Sequence, residues 1–214
     1  MEFKLNEDQQ MIQDLAYDFC VKVMPEYEER ALKEGKANPE GYKALCESFM
    51  GIPFPEKYGG ANMGWLTYVL AQEQFSRYGV SISNAMGPNA MFICAVLFNG
   101  SDELKDKYVP AAIAGDVCGS FAFTEPDTGS DPKQLRTKYT YKDGVYHLNG
   151  VKRFITNAGY EGPIILFAKN AETDEISAFV GDKFAQGYSL SSPWELIGND
   201  TAPIYDVFLD DFCI

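Results

Sequence analysis

The chain has a single histidine in 214 residues. A poly-His metal site is therefore excluded, and any Ser-His or Cys-His pair would have to use His147. That residue sits in Tyr146-His147-Leu148, which reads as a strand, so it is taken as an ordinary strand residue. Cysteine is sparse and scattered. Cys20, Cys46, Cys94, Cys118 and Cys213 are odd in number and form no CxxC pair, which argues against a disulfide framework or a structural zinc centre. They read as buried, reduced thiols of a cytosolic-type compartment. Basic residues are few: 18 Lys and Arg against 31 Asp and Glu give a net charge of −13. No basic run exceeds the pair Lys152-Arg153. Such a surface repels phosphate backbones and anionic lipid, so no nucleic acid and no membrane partner is expected. No apolar run approaches the ~20 residues that span a bilayer. The start, Met1-Glu2-Phe3-Lys4, leads into an acidic helix and predicts no signal peptide, hence a cytoplasmic location.

What is present is ordinary for a globular protein: 46% hydrophobic and 23% charged residues, which excludes disorder, collagen and coiled coil. The first half reads as helices. Asn6 and Gln9 form a capping box, and Met11, Ile12, Leu15, Phe19 and Val23 recur on one helical face. Pro25 should kink or end that helix, Gly35 should stop the next, and Asn38-Pro39 should open another. Gly51 to Gly60 is too rich in Pro and Gly for regular structure. A helix is predicted from Trp65 to Tyr78, and one from Asn84 to Phe98. The latter is apolar all round and so should be buried. Ser101 caps a short helix, and Pro110 begins another.

Near Asp116 the pattern changes to period two. Lys138–Tyr141 and Val145–Leu148 alternate around Asp143-Gly144, a hairpin signal. Further strands are predicted at Arg153–Thr156, Ile164–Ala168, Ile176–Val180 and Ile204–Leu209. The fold class is therefore α+β. An all-α helical domain over residues 1–116 precedes a small antiparallel β-barrel or sandwich over 117–214.

Two segments carry chemistry. Phe121-Ala122-Phe123-Thr124-Glu125-Pro126-Asp127-Thr128-Gly129-Ser130-Asp131 is a strand end followed by a Gly turn. It can present amides and hydroxyls to a polar ligand, or be only a capped turn. Asn149-Gly150-Val151-Lys152-Arg153-Phe154-Ile155-Thr156-Asn157 places Phe154 and Thr156 on one strand face. There an aromatic plane and a hydroxyl can receive a flat ring, or simply pack the sheet.

Together these segments resemble the two signature stretches of the middle domain of FAD-dependent acyl-CoA dehydrogenases. The resemblance spans the chain in order. It includes Leu5–Gln10, the loop Gly51–Gly60, Tyr108-Val109-Pro110 with Ala114-Gly115-Asp116, and Phe208–Ile214. It implies FAD as cofactor, held by Phe121, Phe123, Thr124, Gly129, Ser130, Phe154, Ile155 and Thr156. Phe121, Phe123 and Thr124 would meet the flavin ring, Thr124 at its pyrimidine end. Phe154 would cover the ring face away from substrate, and Thr156 would bond the hydride-accepting nitrogen. Ser130 would touch the FAD phosphates or the acyl-CoA substrate. The sequence departs from the pattern at Asp127-Thr128, at Phe154 where Trp is usual, at Glu161-Gly162-Pro163 and at Asn199-Asp200.

The implied reaction is α,β-dehydrogenation of an acyl-CoA thioester, with electron-transfer flavoprotein as acceptor and a homodimer or homotetramer as the intact state. An enoyl-CoA reductase, an acyl-CoA oxidase, a flavin monooxygenase and a non-catalytic flavin-binding fragment are the alternatives on the same scaffold. The chain ends on the apolar strand Phe212-Cys213-Ile214, which is read as a cut before a C-terminal helical domain. That domain would carry the base, so no catalytic residue is assigned here; the resemblance makes Glu125 structural.

Overall fold

In this computed structural model residues 4–36, 38–199 and 201–214 are described, apart from the side chains of residues 80 and 82. The sequence signals set the helix ends. Asn6 accepts from the Gln9 amide at 2.8 Å and Gln9 reaches back to the Asn6 amide at 3.1 Å, opening α1 (Glu7–Lys22). Pro25 falls in the first turn of α2 (Met24–Glu34), and Gly35 ends it with a left-handed φ of 63°. The Asn38 side chain caps α3 (Pro39–Leu45). A π-helical turn at Cys46–Met50 leads into the Pro-Gly loop, followed by α4 (Gly64–Tyr78), α5 (Val80–Asn99) and α6 (Asp102–Ile113). Ser101 and Pro110 belong to one helix rather than two: α6 is capped by Ser101 and runs through Pro110.

Two burial patterns differ from expectation. In α1 the inward stripe is Ala16 and Cys20, flanked by half-buried Ile12 and Phe19, while Met11 and Leu15 are exposed. A helical face about 100° wide accommodates only one of the two adjoining apolar rows. In α5, Phe92, Ile93 and Val96 are buried, yet Met91 is half-exposed and Phe98 is 76% exposed. One side of this apolar helix is uncovered.

Seven strands follow among the described residues: β1 (Ser120–Ala122), β2 (Lys138–Lys142), β3 (Val145–Thr156), β4 (Pro163–Asn170), β5 (Ile176–Asp182), β6 (Tyr188–Leu190) and β7 (Ile204–Cys213). They form one curled sheet in the order β1-β4-β2-β3-β7-β6, with β5 on the other edge of β4. The α+β class stands, but the sheet is mixed. The pairs β1–β4 and β2–β4 are parallel, because β1 and β2 dock on successive stretches of one β4 edge. The hairpin between β2 and β3 turns at Asp143 (φ 53°) and Gly144 (φ 86°), the two left-handed residues of a type I′ turn.

One core lies among the helices around Leu45, Met50, Phe54, Phe75 and Phe92; a second fills the barrel around Leu148, Leu166, Val207 and Phe212. Each such side chain contributes ~1.5–3 kcal/mol on burial. Polar struts cross between the two cores. Buried Asn89 on α5 donates to the Ala112 carbonyl at 2.8 Å and accepts from the Gly119 amide at 2.9 Å. No described helix is long and apolar enough to cross a membrane.

The second signature segment needs its glycine. Gly150 has φ 156°, and a Cβ there would lie 2.5 Å from Thr137 Oγ1 and 2.7 Å from Thr137 Cα. Gly150→Ala is expected to lower stability by roughly 1–3 kcal/mol, read as a fall in the urea midpoint. An unchanged midpoint would show that Thr137 yields freely.

Candidate functional site

The site grows from an irregularity in β3. Its ladder with β7 shifts register between Lys152 and Ile155, and Phe154 inside that bulge takes φ 60°. A left-handed phenylalanine is strained unless its surroundings hold it. Here the bulge turns Phe154 outward, 50% exposed, while Ile155 points into the barrel core at 2%. The Phe154 ring lies 5.1 Å from the ring of Trp194. Arg153 braces both: its guanidinium sits 5.3 Å from the Trp194 ring and 5.8 Å from Phe154. Asp206 holds Arg153 through bonds of 3.0 and 3.1 Å and accepts from Trp194 Nε1 at 3.1 Å. Burial would raise the Asp206 carboxyl, but the bonds from Arg153 and Trp194 bring it below its ordinary value. The result is a fixed aromatic shelf.

The first segment meets the shelf from the side. The Arg153 amide donates to the Thr124 carbonyl at 2.8 Å, which seats Thr124 against the bulge. Among the described residues no partner is found for the hydroxyls of Thr124 and Thr156. Ala122 is buried in the barrel core, while Phe121 on β1 and Phe123 just after it each place their ring 5.2 Å from that of Phe167. Phe121 and Phe167 also form the end of an open apolar groove of about 620 Å³ along α4 and α5, with Trp65, Val69, Met91 and Phe98.

Beneath this rim lies a buried ion pair. Lys152 Nζ bonds Glu125 at 2.8 Å, with side-chain exposures of 0% and 3%. Glu125 also accepts from the amides of Thr137 at 3.0 Å and Arg136 at 2.5 Å. Burial alone would raise the Glu125 carboxyl; bonds from Lys152, Thr137 and Arg136 outweigh it and hold it below the usual carboxylate range. The turn after Glu125 closes on itself through Glu125–Thr128 backbone bonds of 2.8 and 3.2 Å. Gly129 and Ser130 are exposed beyond it, and Asp127, whose charge departs from the resembled pattern, pairs with Arg136 at 2.9 Å.

A second buried cation supports the end of β3. Lys183 donates to the carbonyls of Cys118 and Asn157 at 2.7 and 2.8 Å and to Ser120 Oγ at 3.2 Å. Asn157, with φ 66°, donates from its side chain to the carbonyls of Ala85 and Gly119 at 2.8 and 3.0 Å. It thereby ties the residue after Thr156 to α5 and to the start of β1.

The structure thus sets Thr124 against the bulge that turns Phe154 outward, with Thr156 ending the same strand, Phe121 on the adjoining groove and Phe123 against Phe167. Gly129 and Ser130 lie on the exposed turn, and Ile155 offers only its backbone. A flat, partly polar ring needs an apolar face beside free hydrogen-bonding groups, and this rim has both. Trp194, Asp206 and Lys183 were not foreseen. They reach the site from loops and strands with no motif around them: Trp194 and Asp206 serve the bulge at Phe154, and Lys183 the turn at Asn157.

The N-terminal domain of acyl-CoA dehydrogenases matches residues 6–116, and the middle domain of the same family matches 120–212. The chain belongs to the acyl-CoA dehydrogenase family. An acyl-CoA dehydrogenase of Bacillus subtilis is 34% identical, the match covering 94% of this chain and 56% of that protein. A 3-(aryl)acrylate reductase of Clostridium sporogenes is 33% identical over 96% of this chain and 56% of its own length. Among solved structures, butyryl-CoA dehydrogenase of Megasphaera elsdenii superimposes with a TM-score of 0.89 at 30% identity, covering all of this chain and 58% of that one. A chain from a study of the electron transferring flavoprotein of Acidaminococcus fermentans gives 0.92 at 31%, covering 100% and 58%. PigA in complex with FAD gives 0.92 at 27%, again covering 100% and 58%. This acyl-CoA dehydrogenase family chain spans just over half the length of these relatives.

The cysteines need one correction. Cys20, Cys46 and Cys118 are buried, but Cys94 is half-buried and Cys213 exposed, because Cys213 falls on the outward side of β7.

Proposed function

We propose that this chain forms the helical (1–116) and β (117–214) units of an FAD-dependent acyl-CoA dehydrogenase acting in cytoplasmic fatty-acid metabolism. The observation that carries the reading is the outward Phe154 shelf beside the unpartnered hydroxyls of Thr124 and Thr156. Bound FAD would supply the acceptor for the β-hydrogen of an acyl-CoA thioester. Phe154 would cover one face of its ring, and the hydroxyls of Thr124 and Thr156 would hydrogen-bond its polar edge. The backbones of Phe121, Phe123, Gly129 and Ile155 would border it. Ser130, on its exposed turn, would reach the phosphates or the thioester. The open groove along α4 and α5, lined in part by Phe121 and Phe167, would offer an acyl chain an apolar wall. Glu125, locked by Lys152 and two amides, is positioned to shape the rim rather than to take a proton. The α-proton base is proposed to lie outside these 214 residues, as are further contacts in a homodimer or homotetramer.

Electron-transfer flavoprotein is the proposed acceptor, in keeping with the flavoprotein study that supplied one structural neighbour. A second reading, reduction of an enoyl-type substrate on the same rim, is favoured by the similarity to a 3-(aryl)acrylate reductase.

The test is titration of the purified chain with FAD, followed by visible absorption and flavin fluorescence. Saturable binding with a shifted, structured spectrum is expected. Thr156→Ala should weaken it or move the bound flavin's potential, by the loss of one edge hydrogen bond, about 0.5–1.5 kcal/mol. Unchanged affinity and potential would remove Thr156 from the site.

A further inference from the structure

At the far end of β3 from the aromatic rim, the ladder brings together three metal-binding side chains. His147 and Cys213 are direct cross-strand partners, and Asp211 precedes Cys213 by two positions on β7. Asp211 leaves the extended conformation, with φ 51°, and its carboxylate lies 2.8 Å from His147 Nδ1. Cys213 Sγ lies 3.6 Å from the same nitrogen. One ligand atom from each of the three residues lies within 4.8 Å of the others. The backbone frame is fixed on both sides. Tyr146 and Ile214 exchange amide bonds of 2.8 and 2.9 Å, and the Asp211 amide donates to Asn149 Oδ1 at 2.8 Å.

We propose that His147 Nδ1, the Asp211 carboxylate and Cys213 Sγ bind a divalent cation of the zinc class, with water completing a tetrahedron. A mixed N, S, O set suits zinc or cobalt and not magnesium or calcium, which take oxygen ligands. With metal bonds of about 2.0–2.1 Å to nitrogen or oxygen and 2.3 Å to sulfur, a tetrahedron separates N from S by roughly 3.6 Å and N from O by roughly 3.4 Å. The first spacing is already present. The second requires the exposed Asp211 side chain to open by roughly 0.6 Å as it exchanges its bond to His147 for the metal. Cys213 binds as thiolate and releases one proton, so two anionic ligands neutralise the cation. The His147 side chain is 26% exposed and that of Asp211 69%, which leaves a path for the ion. Sequence reading treats His147 as a plain strand residue because its partners are 64 and 66 positions away, and only the register of β3 on β7 unites them. Thr156 lies nine positions along β3, roughly 30 Å at the usual strand rise, so the ion would sit apart from the aromatic rim.

The experiment is titration of the chain with Co²⁺ alone, followed by competition with Zn²⁺. One equivalent of Co²⁺ should give thiolate-to-metal charge-transfer absorption and the visible bands of a four-coordinate ion, both erased by Zn²⁺. Cys213→Ser should abolish the charge-transfer band. His147→Gln and Asp211→Asn should each weaken the apparent affinity at least about tenfold. Circular dichroism should show all three variants folded, since the residues lie at the surface, and Cys94→Ser should change nothing. No charge-transfer band with wild type, a band that survives Cys213→Ser, or an affinity indifferent to His147→Gln would overturn the assignment.

Discussion

Replacing Lys152 with methionine is expected to cost the fold about 3–5 kcal/mol, the usual penalty for leaving one member of a buried ion pair alone. The Glu125 carboxylate would keep its two amide donors but lose the Lys152 cation, in a position with 3% side-chain exposure. Adding Glu125→Gln should recover part of the loss, because no buried charge remains and the Gln carbonyl can still accept from one of the two amides, of Arg136 or Thr137, which bond different oxygens of Glu125. Urea midpoints of the two single variants and the double variant give the coupling directly. A single-variant loss under about 1 kcal/mol would mean that water reaches Glu125.

Acidity provides an independent check. In the wild type the Glu125 carboxyl is held below its ordinary value, so its contribution is complete above the unfolded value of about 4.3 and is lost as pH falls through the folded one. In Lys152→Met burial acts without the cation, and the carboxyl should rise instead. The variant's deficit relative to wild type should therefore shrink on mild acidification.

A second large effect is expected at alkaline pH, from Lys183. Burial pushes its ammonium down to about 8, only partly opposed by Cys118, and no carboxylate faces it among its bonded partners. Below pH 8 both the folded and the unfolded chain hold the proton, and the full cost of burying the charge is present. Between about 8 and 10.4 the unfolded chain keeps a proton that the folded chain has released, so stability rises with pH. The stability of wild type relative to Lys183→Met should climb by about 3 kcal/mol between pH 7 and pH 10.5. The comparison must be relative. Cys46, pushed to about 12 by burial, and the buried tyrosines ionise more readily when unfolded and pull the other way in both proteins. A flat difference would show that the folded Lys183 keeps its proton as firmly as the unfolded chain does, as a solvated ammonium would.

Local signals announced the local structure. Asn6, Pro25, Gly35 and Asn38 fix helix ends through their own backbone chemistry, and Asp143-Gly144 fixes a turn, so neighbours suffice to read them. The parallel docking of β1 and β2 on β4 was hidden, because strand direction is decided by partners some 30 to 45 residues away. The candidate site residues could be named because they cluster in two motifs. The family resemblance supplied the flavin roles that spacing alone left open. Trp194, Asp206 and Lys183 escaped notice because each acts on a motif residue from another part of the chain. Cys213 was misjudged since strand alternation near a bulge does not say which side is outward. The exposed Phe98 escaped for a different reason: hydropathy predicts which residues seek cover, not whether this chain supplies it.

The shelf at Phe154 has a thermodynamic corollary. Its ring is set by the bulge, by the tilted Trp194 ring beside it and by an arginine that Asp206 immobilises, before any planar group arrives. The loss of side-chain freedom that commonly opposes association has already been incurred in folding. A ring docking there would release water without having to order its receptor. Damage to Arg153 or Asp206 would accordingly appear as an entropic deficit, although neither residue need touch what binds.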